Sequence, residues 1–165
     1  GVSMLNDCKY GHSALDGVMT LTLIKSGIEP NPTADQEEHT FTYALYPHAE
    51  GWRQAKTVQE AMKLNQPALS AEGGCAGDET SFVWIDKQNV IIETVKEAED
   101  GDGVIIRLYE SENARTKAHI SFEKPVASVE SCDCVEKTKE TVCVAGDGFD
   151  ITIKPYEIQT YRVRF

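Results

Sequence analysis

The second half of the sequence repeats a short pattern that limits what it can fold into. From residue 80 onward, apolar and polar side chains alternate in short segments, separated by turn residues at intervals of roughly 8 to 12 residues. A period of two places the apolar side chains on one face of a strand. The segments cover residues 82–85, 90–95, 104–109, 118–122, 142–144, 149–153 and 161–165. About seven such strands predict a small antiparallel, immunoglobulin-like β-sandwich without a helix.

The first half combines strand patterns with a long break. Residues 2–5 are apolar enough to form a strand, and Asp16-Gly17 is typical of a two-residue hairpin turn, because both residues tolerate a left-handed backbone. Alternation over residues 19–23 and 39–46 predicts two further strands. Between them, two prolines within residues 26–37 predict an exposed loop, which is long enough to carry function.

Residues 52–65 carry the helical pattern of the sequence. Four apolar side chains fall on one stripe of a helix: Ala55, Val58, Ala61 and Met62. Pro67 ends the pattern, and residues 68–80 are rich in Ser, Ala and Gly, as is typical of a linker. We therefore predict a mainly β chain with one short helix and two domains, residues 1–77 and 78–165.

Composition and charge exclude several classes of partner. The 165 residues include 16 basic and 27 acidic side chains, which gives a net charge of −11. Nucleic acids and anionic membranes select clustered Lys and Arg, so neither is expected as a partner. No apolar run approaches the ~20 residues that cross a bilayer, which predicts a soluble protein.

The cysteines indicate a reducing compartment. They are odd in number and irregularly spaced, unlike a disulfide framework: Cys8, Cys75, Cys132, Cys134 and Cys143. We therefore expect a cytoplasmic protein. Cys132 and Cys134 could offer two thiolates to a metal, but no second Cys or His pair stands at a matching spacing. The sequence predicts no metal site in this chain.

Recognisable catalytic motifs are absent from the sequence. It contains neither the G-x-S-x-G turn of serine hydrolases nor the G-x-x-x-x-G-K-[ST] phosphate loop. A glycosidase needs two carboxylates beside the bond that it cleaves, and no spacing rule identifies such a pair among 27 acidic residues. We assign no catalytic residue to this chain.

A polar cluster follows the first predicted strand. Asn6, Asp7, Lys9 and Tyr10 bring an amide, a carboxylate, an ammonium group and a phenol within five positions. Such groups, on a loop that a sheet holds in place, are suited to binding a polar ligand. The alternative is a polar strand end that faces solvent, and composition alone does not choose between the two.

Several segments, in the right order, resemble one enzyme family. They are residues 1–11 (GVSMLNDCKYG), 21–26 (LTLIKS), 34–48 (ADQEEHTFTYALYPH), 90–96 (VIIETVK), 107–110 (RLYE) and 154–158 (KPYEI). Together they are similar to the C-terminal β region of glycoside hydrolase family 38 α-mannosidases, and they favour the branch found in bacteria and in the cytosol of eukaryotes. The resemblance spans nearly the whole chain. It implies that residues 1–77 end a mutarotase-like β-supersandwich.

The same resemblance implies a division of labour within a longer polypeptide. The nucleophile, the general acid and the zinc ligands of a retaining α-mannosidase are expected in an N-terminal barrel and the helical segment after it, outside this chain. The chain is then a C-terminal fragment, inactive alone, with the barrel as its partner and an α-mannoside as the substrate of the whole enzyme. It contains no cofactor site of its own.

The resemblance also bears on the polar cluster. The matching loop of the family approaches the sugar site, so Asn6, Asp7, Lys9 and Tyr10 are expected at its rim. Some members of the family carry arginines in the matching region, and this chain does not. His39 and Tyr43 could line the same surface, although an aromatic residue in an alternating strand more often belongs to a core.

Two other functions stay open. A stand-alone carbohydrate-binding module would show exposed aromatic side chains on one sheet, for which Trp84 and Tyr109 are the candidates. A purely structural module would use Asp7 and Lys9 only to hold domains together. The sequence also leaves a homo-oligomer open.

Overall fold

The first 72 residues form a two-stranded sheet, a hairpin and a helix. The structure, a computed structural model, describes residues 1–73, 77 and 79–165, so Cys75 lies outside the described residues. The chain divides into two compact units, residues 1–72 and 73–165. The elements of the first unit are β1 (Val2–Asn6), β2 (His12–Leu15), β3 (Val18–Leu21), β4 (Tyr43–Pro47) and α1 (Thr57–Asn65).

The hairpin of β2 and β3 confirms the predicted turn. Leu15 pairs with Val18, which leaves Asp16 and Gly17 as a two-residue loop. Their φ angles are 49° and 77°, and two positive φ angles define a type I′ turn. This turn matches the twist of the two strands, so the register of the hairpin follows from its loop residues.

Strand β4 pairs antiparallel with β1 and begins four residues later than the predicted start at residue 39. The reason lies at Thr42, whose N–H donates to the Asp7 carboxylate (2.9 Å). A side chain thus takes the place of a strand carbonyl, as Asp side chains often do near the ends of regular structure.

Helix α1 is also shorter than the predicted helix at residues 52–65. Lys56 has a left-handed backbone, with φ 54° and ψ 39°, which a right-handed helix does not contain. Residues before it form turns instead, in which the Ala55 N–H donates to the Gly51 carbonyl (3.0 Å). The helix therefore begins at Thr57, and it packs against β1.

The sheet of β1 and β4 has one face toward α1 and one exposed face. Side chains that pair across antiparallel strands point to the same side of the sheet. The side toward α1 carries Ser3, Leu5, Ala44 and Tyr46. The opposite side, termed here the open face, carries Val2, Met4, Tyr43 and Leu45. Tyr43 and Leu45 share a face, as predicted, but they are 57% and 61% exposed and belong to no core.

The first unit encloses almost no core of its own. Among residues 1–72, all of which the structure describes, Leu5 is the only buried hydrophobic side chain, at 8% exposure. Large apolar side chains are exposed instead: Val2, Tyr10, Leu15, Val18, Ile24, Ile28, Tyr43, Leu45 and Leu69. A soluble domain rarely leaves so much of its apolar surface in contact with water.

The second unit is an antiparallel β-sandwich, as predicted. Its strands are β5 (Val83–Ile85), β6 (Val90–Glu97), β7 (Val104–Glu110), β8 (Thr116–Phe122), β9 (Ser128–Cys132), β10 (Thr138–Val142), β11 (Gly148–Ile153) and β12 (Ile158–Arg164). One sheet has the order β10-β9-β12-β7-β6 and the other the order β11-β8-β5. The main core cluster includes Ile106, Leu108, Ile120, Phe122, Val129, Phe149, Ile153 and Val163.

The structure adds β9, which the sequence pattern did not predict, and places β10 at Thr138–Val142 instead of the predicted residues 142–144. β9 pairs with both β10 and β12 inside the larger sheet, and β10 forms the edge of that sheet. β10 has the sequence TKETV, with four exposed residues, so it offers no apolar alternation. No helix among the described residues is long and apolar enough to cross a membrane.

Candidate functional site

The loop at residues 6–10 is held in place by its own side chains. Asn6 Oδ1 accepts a hydrogen bond from the Lys9 N–H (2.5 Å), and Asn6 Nδ2 donates to His12 Nε2 (3.1 Å). His12 Nδ1 in turn donates to the Tyr10 carbonyl (3.0 Å). From the helix, Asn65 Nδ2 donates to the Asn6 carbonyl (3.2 Å). Asn6 therefore acts as the anchor of a preformed loop.

Asp7 ties this loop to the segment that precedes β4. Its N–H donates to the Thr42 carbonyl (3.2 Å), and its carboxylate accepts from the Thr42 N–H (2.9 Å). Hydrogen bonds from the Cys8 thiol and from Thr42 lower the pKa of Asp7, and the same carboxylate raises the pKa of Cys8. The Asp7 carboxylate is thus ionised at neutral pH and engaged within the protein.

Lys9 and Tyr10 are presented outward by the same loop. The Lys9 ammonium lies 4.4 Å from the centroid of the Phe41 ring, which is a cation–π distance. Phe41 in turn stacks on Tyr43, with centroids 6.5 Å apart. Tyr10 is 94% exposed. An exposed phenol and a positioned ammonium group are therefore the groups that this loop offers to a ligand.

A concave surface of about 260 Å³ lies beside these groups. Side chains that line it include Lys9, Tyr10, Leu23, Lys25, Asp35 and His39. Its lining contains two ammonium groups, one carboxylate, one imidazole and the apolar side chains of Leu23 and Ile24. Such a surface offers several hydrogen-bonding groups to a polar ligand.

The structure separates the four predicted site residues into two pairs. Lys9 and Tyr10 line the concave surface, whereas the described lining includes neither Asn6 nor Asp7, whose polar groups shape the loop. His39 lines the surface, and its Nε2 lies 3.0 Å from the Asp35 carbonyl. Tyr43 lies on the open face instead.

The residues that sequence reasoning missed are Leu23, Lys25 and Asp35. They come from the end of the hairpin and from the loop at residues 26–37, which had been predicted as a long excursion able to carry function. The length and prolines of that loop were the available signal. Nothing in the sequence placed the loop beside Tyr10.

A family model matches most of the second unit. Residues 89–161 match the glycosyl hydrolases family 38 C-terminal beta sandwich domain. This match covers β6 to β11 and part of β12, which is the larger part of the sandwich described above.

Similarity to whole proteins extends beyond the family 38 sandwich. The chain is 32% identical to "Alpha-mannosidase G" of Dictyostelium discoideum over 98% of this chain and 16% of that protein. It is 30% identical to "Alpha-mannosidase 2C1" of Homo sapiens over 96% of the chain and 16% of the relative. "Alpha-mannosidase" of Saccharomyces cerevisiae is 30% identical, over 100% of the chain and 17% of the relative. The chain spans about a sixth of the length of these relatives, and the similarity includes the first unit.

The zinc that family 38 implies has no fitting ligand set in the described part of this chain. No group of three or more His, Cys, Asp or Glu side chains among the described residues is arranged to hold a metal ion. In the Cys132-Asp133-Cys134 segment, Cys132 is buried and Cys134 is exposed. Asp133 Oδ1 accepts hydrogen bonds from the Val135 and Lys137 N–H groups (2.9 and 3.0 Å), so this segment forms a strand end and a turn.

Proposed function

We propose that the chain is the C-terminal part of a retaining family 38 α-mannosidase and completes an active site built mainly by the rest of the polypeptide. The nucleophile, the general acid and the zinc ligands belong, in this proposal, to an N-terminal barrel outside the chain. Its similarity to α-mannosidases along nearly its full length supports this assignment. Because retaining hydrolysis needs two carboxylates beside the glycosidic bond, and this proposal places both outside the chain, the fragment alone is expected to be inactive.

The observation that carries the proposal is the missing core of the first unit. Leu5 is its one buried hydrophobic side chain, while the open face and the β2–β3 hairpin leave Leu15, Val18, Tyr43 and Leu45 exposed. An apolar surface of this kind marks a contact with another polypeptide segment. The partner is the preceding part of the same enzyme. Residues 1–77 of this chain supply the end of a mutarotase-like supersandwich. Residues 78–165 then form the terminal, immunoglobulin-like sandwich.

The loop at residues 6–10 supplies the rim of the sugar site in this proposal. Lys9 and Tyr10 would contact hydroxyl groups of the α-mannoside, because an ammonium group donates three hydrogen bonds and a phenol both donates and accepts. Asn6 and Asp7 hold the loop in the conformation that presents them. His39, which also lines the concave surface, is a further candidate contact.

The compartment and the branch of the family belong to the same proposal. Four described cysteines, Cys8, Cys132, Cys134 and Cys143, are free thiols. Free thiols are typical of a reducing compartment, which supports a cytoplasmic enzyme of the bacterial and cytosolic branch. The proposal makes no use of a homo-oligomer.

The rim assignment is tested by substitution in the full-length parent enzyme. We expect Tyr10→Ala and Lys9→Ala each to lower kcat/KM for an aryl α-mannoside about tenfold, which corresponds to ~1.4 kcal/mol of transition-state binding, with little change in Tm. Asp7→Ala should lower Tm as well as activity, because it releases the Thr42 amide. Tyr156→Ala, which removes an exposed tyrosine of the second unit, is the matched control and should leave kcat/KM unchanged.

Two results would contradict the proposal at different levels. If Tyr10→Ala and Lys9→Ala keep full kcat/KM but melt at lower temperature, the loop is scaffold and the rim assignment is wrong. If the purified 165-residue chain hydrolyses the aryl α-mannoside by itself, the catalytic groups lie within it and the whole proposal fails.

A further inference from the structure

The smaller sheet of the sandwich presents a polar outer face with no role in the proposed function. Its inner side chains, such as Ile120 and Phe149, are buried in the core. Because successive side chains on a strand point to opposite faces, the residues next to these inner ones lie on the outer face, where those of paired strands stand side by side. The register pairs Trp84 with Ser121, His119 with Asp150, and Lys117 with Thr152. Asp86 follows β5 and extends the His119 row, because its N–H donates to the His119 carbonyl (3.2 Å).

A cavity of about 470 Å³ lies on this outer face. Its polar lining consists of Asp86, Lys117, His119, Asp150 and Thr152. This volume falls in the ~300–1,000 Å³ range of small-molecule sites. The cavity is larger than the concave surface beside Tyr10, and all its lining residues belong to the second unit.

Hydrogen bonds connect several of the polar groups that line the cavity. His119 Nδ1 lies 2.7 Å from Asp150 Oδ1, and the His119 N–H donates to Asp86 Oδ1 (2.8 Å). Lys87 Nζ donates to the other oxygen of Asp86 (2.8 Å). A ligand would therefore meet carboxylates and an imidazole that are already oriented, which lowers the entropic cost of binding.

Gly148 keeps space open beneath the His119 ring. A Cβ atom at this position would lie 2.8 Å from His119 Nε2 and 2.1 Å from the Ile120 carbonyl oxygen. Both distances are shorter than a normal contact, so a larger residue would displace the imidazole. The absence of a side chain at Gly148 thus leaves room for the His119 ring.

Trp84 is an aromatic side chain on the same outer face of the sheet, outside the lining of the cavity. It is 45% exposed, which is unusual for the largest apolar side chain. Trp84 pairs with Ser121, two residues along β8 from His119 and on the same face, so it stands ~7 Å from the His119 row. An exposed indole beside oriented polar groups offers one apolar plane and several hydrogen-bonding partners.

The charge balance of this face favours a neutral ligand. The carboxylates of Asp86 and Asp150 are balanced by the ammonium groups of Lys87 and Lys117. Among the described residues no metal-binding group exists, so these side chains do not form a cation site. A neutral hexose fits both features, because its vicinal hydroxyl groups pair with carboxylate and imidazole groups and its C–H face stacks on an indole.

We propose that the outer face of the β5–β8–β11 sheet is a glycan-binding site that takes a neutral hexose. Trp84 stacks on the apolar face of the sugar, and Asp150 and His119 bind adjacent hydroxyl groups. Lys117 and Thr152 form the far side of the binding site. The choice of a hexose rests on this face alone. The choice of mannose as that hexose rests on the proposed function.

The test is a ¹H–¹⁵N NMR titration of the 165-residue chain with methyl α-D-mannopyranoside and, separately, methyl α-D-glucopyranoside, up to ~50 mM. We expect saturable shifts of the Trp84 indole N–H and of amides in β8 and β11. Trp84→Ala should raise the Kd about tenfold, and Asp150→Asn should raise it several-fold. Trp52→Ala removes the other, similarly exposed tryptophan and is the matched control, with an unchanged Kd.

Each outcome bears on a different part of the proposal. Absence of saturable shifts with both sugars overturns the site, and so does an unchanged Kd in both Trp84→Ala and Asp150→Asn. Asp150 is highly exposed, so its variant remains informative if Trp84→Ala fails to fold. Saturation by the glucoside alone keeps the hexose site and overturns the choice of mannose. Hydrolysis assays on the parent enzyme test the proposed function independently of all these results.

Discussion

Residues 1–72, expressed alone, are expected to be unfolded, whereas residues 79–165 are expected to fold and unfold cooperatively. Of the 18 buried hydrophobic side chains in the described residues, Leu5 is the one that lies in the first unit. Burial of apolar surface is the main favourable term in folding, and it must exceed a backbone entropy cost of about 1–2 kcal/mol per residue. A single buried leucine contributes about 2 kcal/mol, which cannot fix 72 residues.

The measurement is a pair of ¹H–¹⁵N correlation spectra with thermal melts followed by circular dichroism. The second unit serves as the internal control, because its strands enclose a continuous core between two sheets. A dispersed spectrum and a sharp melt for residues 1–72 would contradict the prediction. That result would also weaken the proposal that a preceding domain covers the open face.

The second unit could be predicted from sequence to the extent that its strands bury one face. Alternation located β7, β8 and β11, whose inner side chains fill the core, and the two sheets follow from the number of strands. Most of β10 escaped prediction, and only its last residue, Val142, lies in the predicted segment 142–144, because an exposed edge strand needs no apolar side chains. Periodicity reports burial, so it cannot find a strand that buries nothing.

Burial by loops is another feature that local sequence does not encode. The sequence places Arg162 on the outer face of β12, yet its side chain is buried. Asp100 binds Arg162 Nη1 through both carboxylate oxygens (2.8 and 2.7 Å), and Arg162 Nη2 donates to the Glu136 carbonyl (3.4 Å). These partners come from two loops that are distant in sequence. The alternation of apolar and polar residues predicts the side of the strand on which Arg162 lies, but it does not predict that two loops cover that side.

The candidate site shows the same limit. The chemistry of Asn6, Asp7, Lys9 and Tyr10 could be recognised from residue types, but their division into loop-holding and outward-facing groups could not. That division depends on Thr42, in the segment before β4, and on His12, at the start of β2. On the smaller sheet, likewise, the His119–Asp150 pair follows from strand register between segments 31 residues apart.

Glu110→Ala is expected to destabilise the second unit strongly. Glu110 is 1% exposed. Its Oε1 accepts from Asn89 Nδ2 and the Glu112 N–H (both 2.8 Å), and its Oε2 accepts from the Tyr156 N–H (3.0 Å). The carboxylate thus joins three loops at one end of the sandwich. Its removal leaves three donors without their acceptor, at a cost of about 3–5 kcal/mol.

The size of the effect is measured by urea unfolding at pH 7. A loss of ~3 kcal/mol corresponds to a fall in Tm of roughly 15 °C for a unit of this size. Glu110→Gln should fall between wild type and Glu110→Ala, because the amide keeps one acceptor oxygen but loses the other. Glu123→Gln, at an exposed position of the same unit, is the control and should change stability by less than ~0.5 kcal/mol.

The pH dependence of the Glu110 effect distinguishes an ionised carboxylate from a merely space-filling side chain. Burial raises the pKa of Glu110. Hydrogen bonds from the Tyr156 N–H, from Asn89 and from the Glu112 N–H lower the pKa by more than burial raises it, so the net shift is downward. A group with a lowered native pKa stabilises the protein above its unfolded pKa of about 4.3, and this contribution is lost as pH falls through the native pKa. The stability difference between wild type and Glu110→Gln should therefore be largest at pH 6–7 and shrink below pH ~4.

Other carboxylates of the unit titrate in both proteins, so the difference isolates Glu110. A difference that stays constant from pH 7 to pH ~3 would mean that Glu110 is not ionised in the folded state, and the role assigned to it here would be wrong.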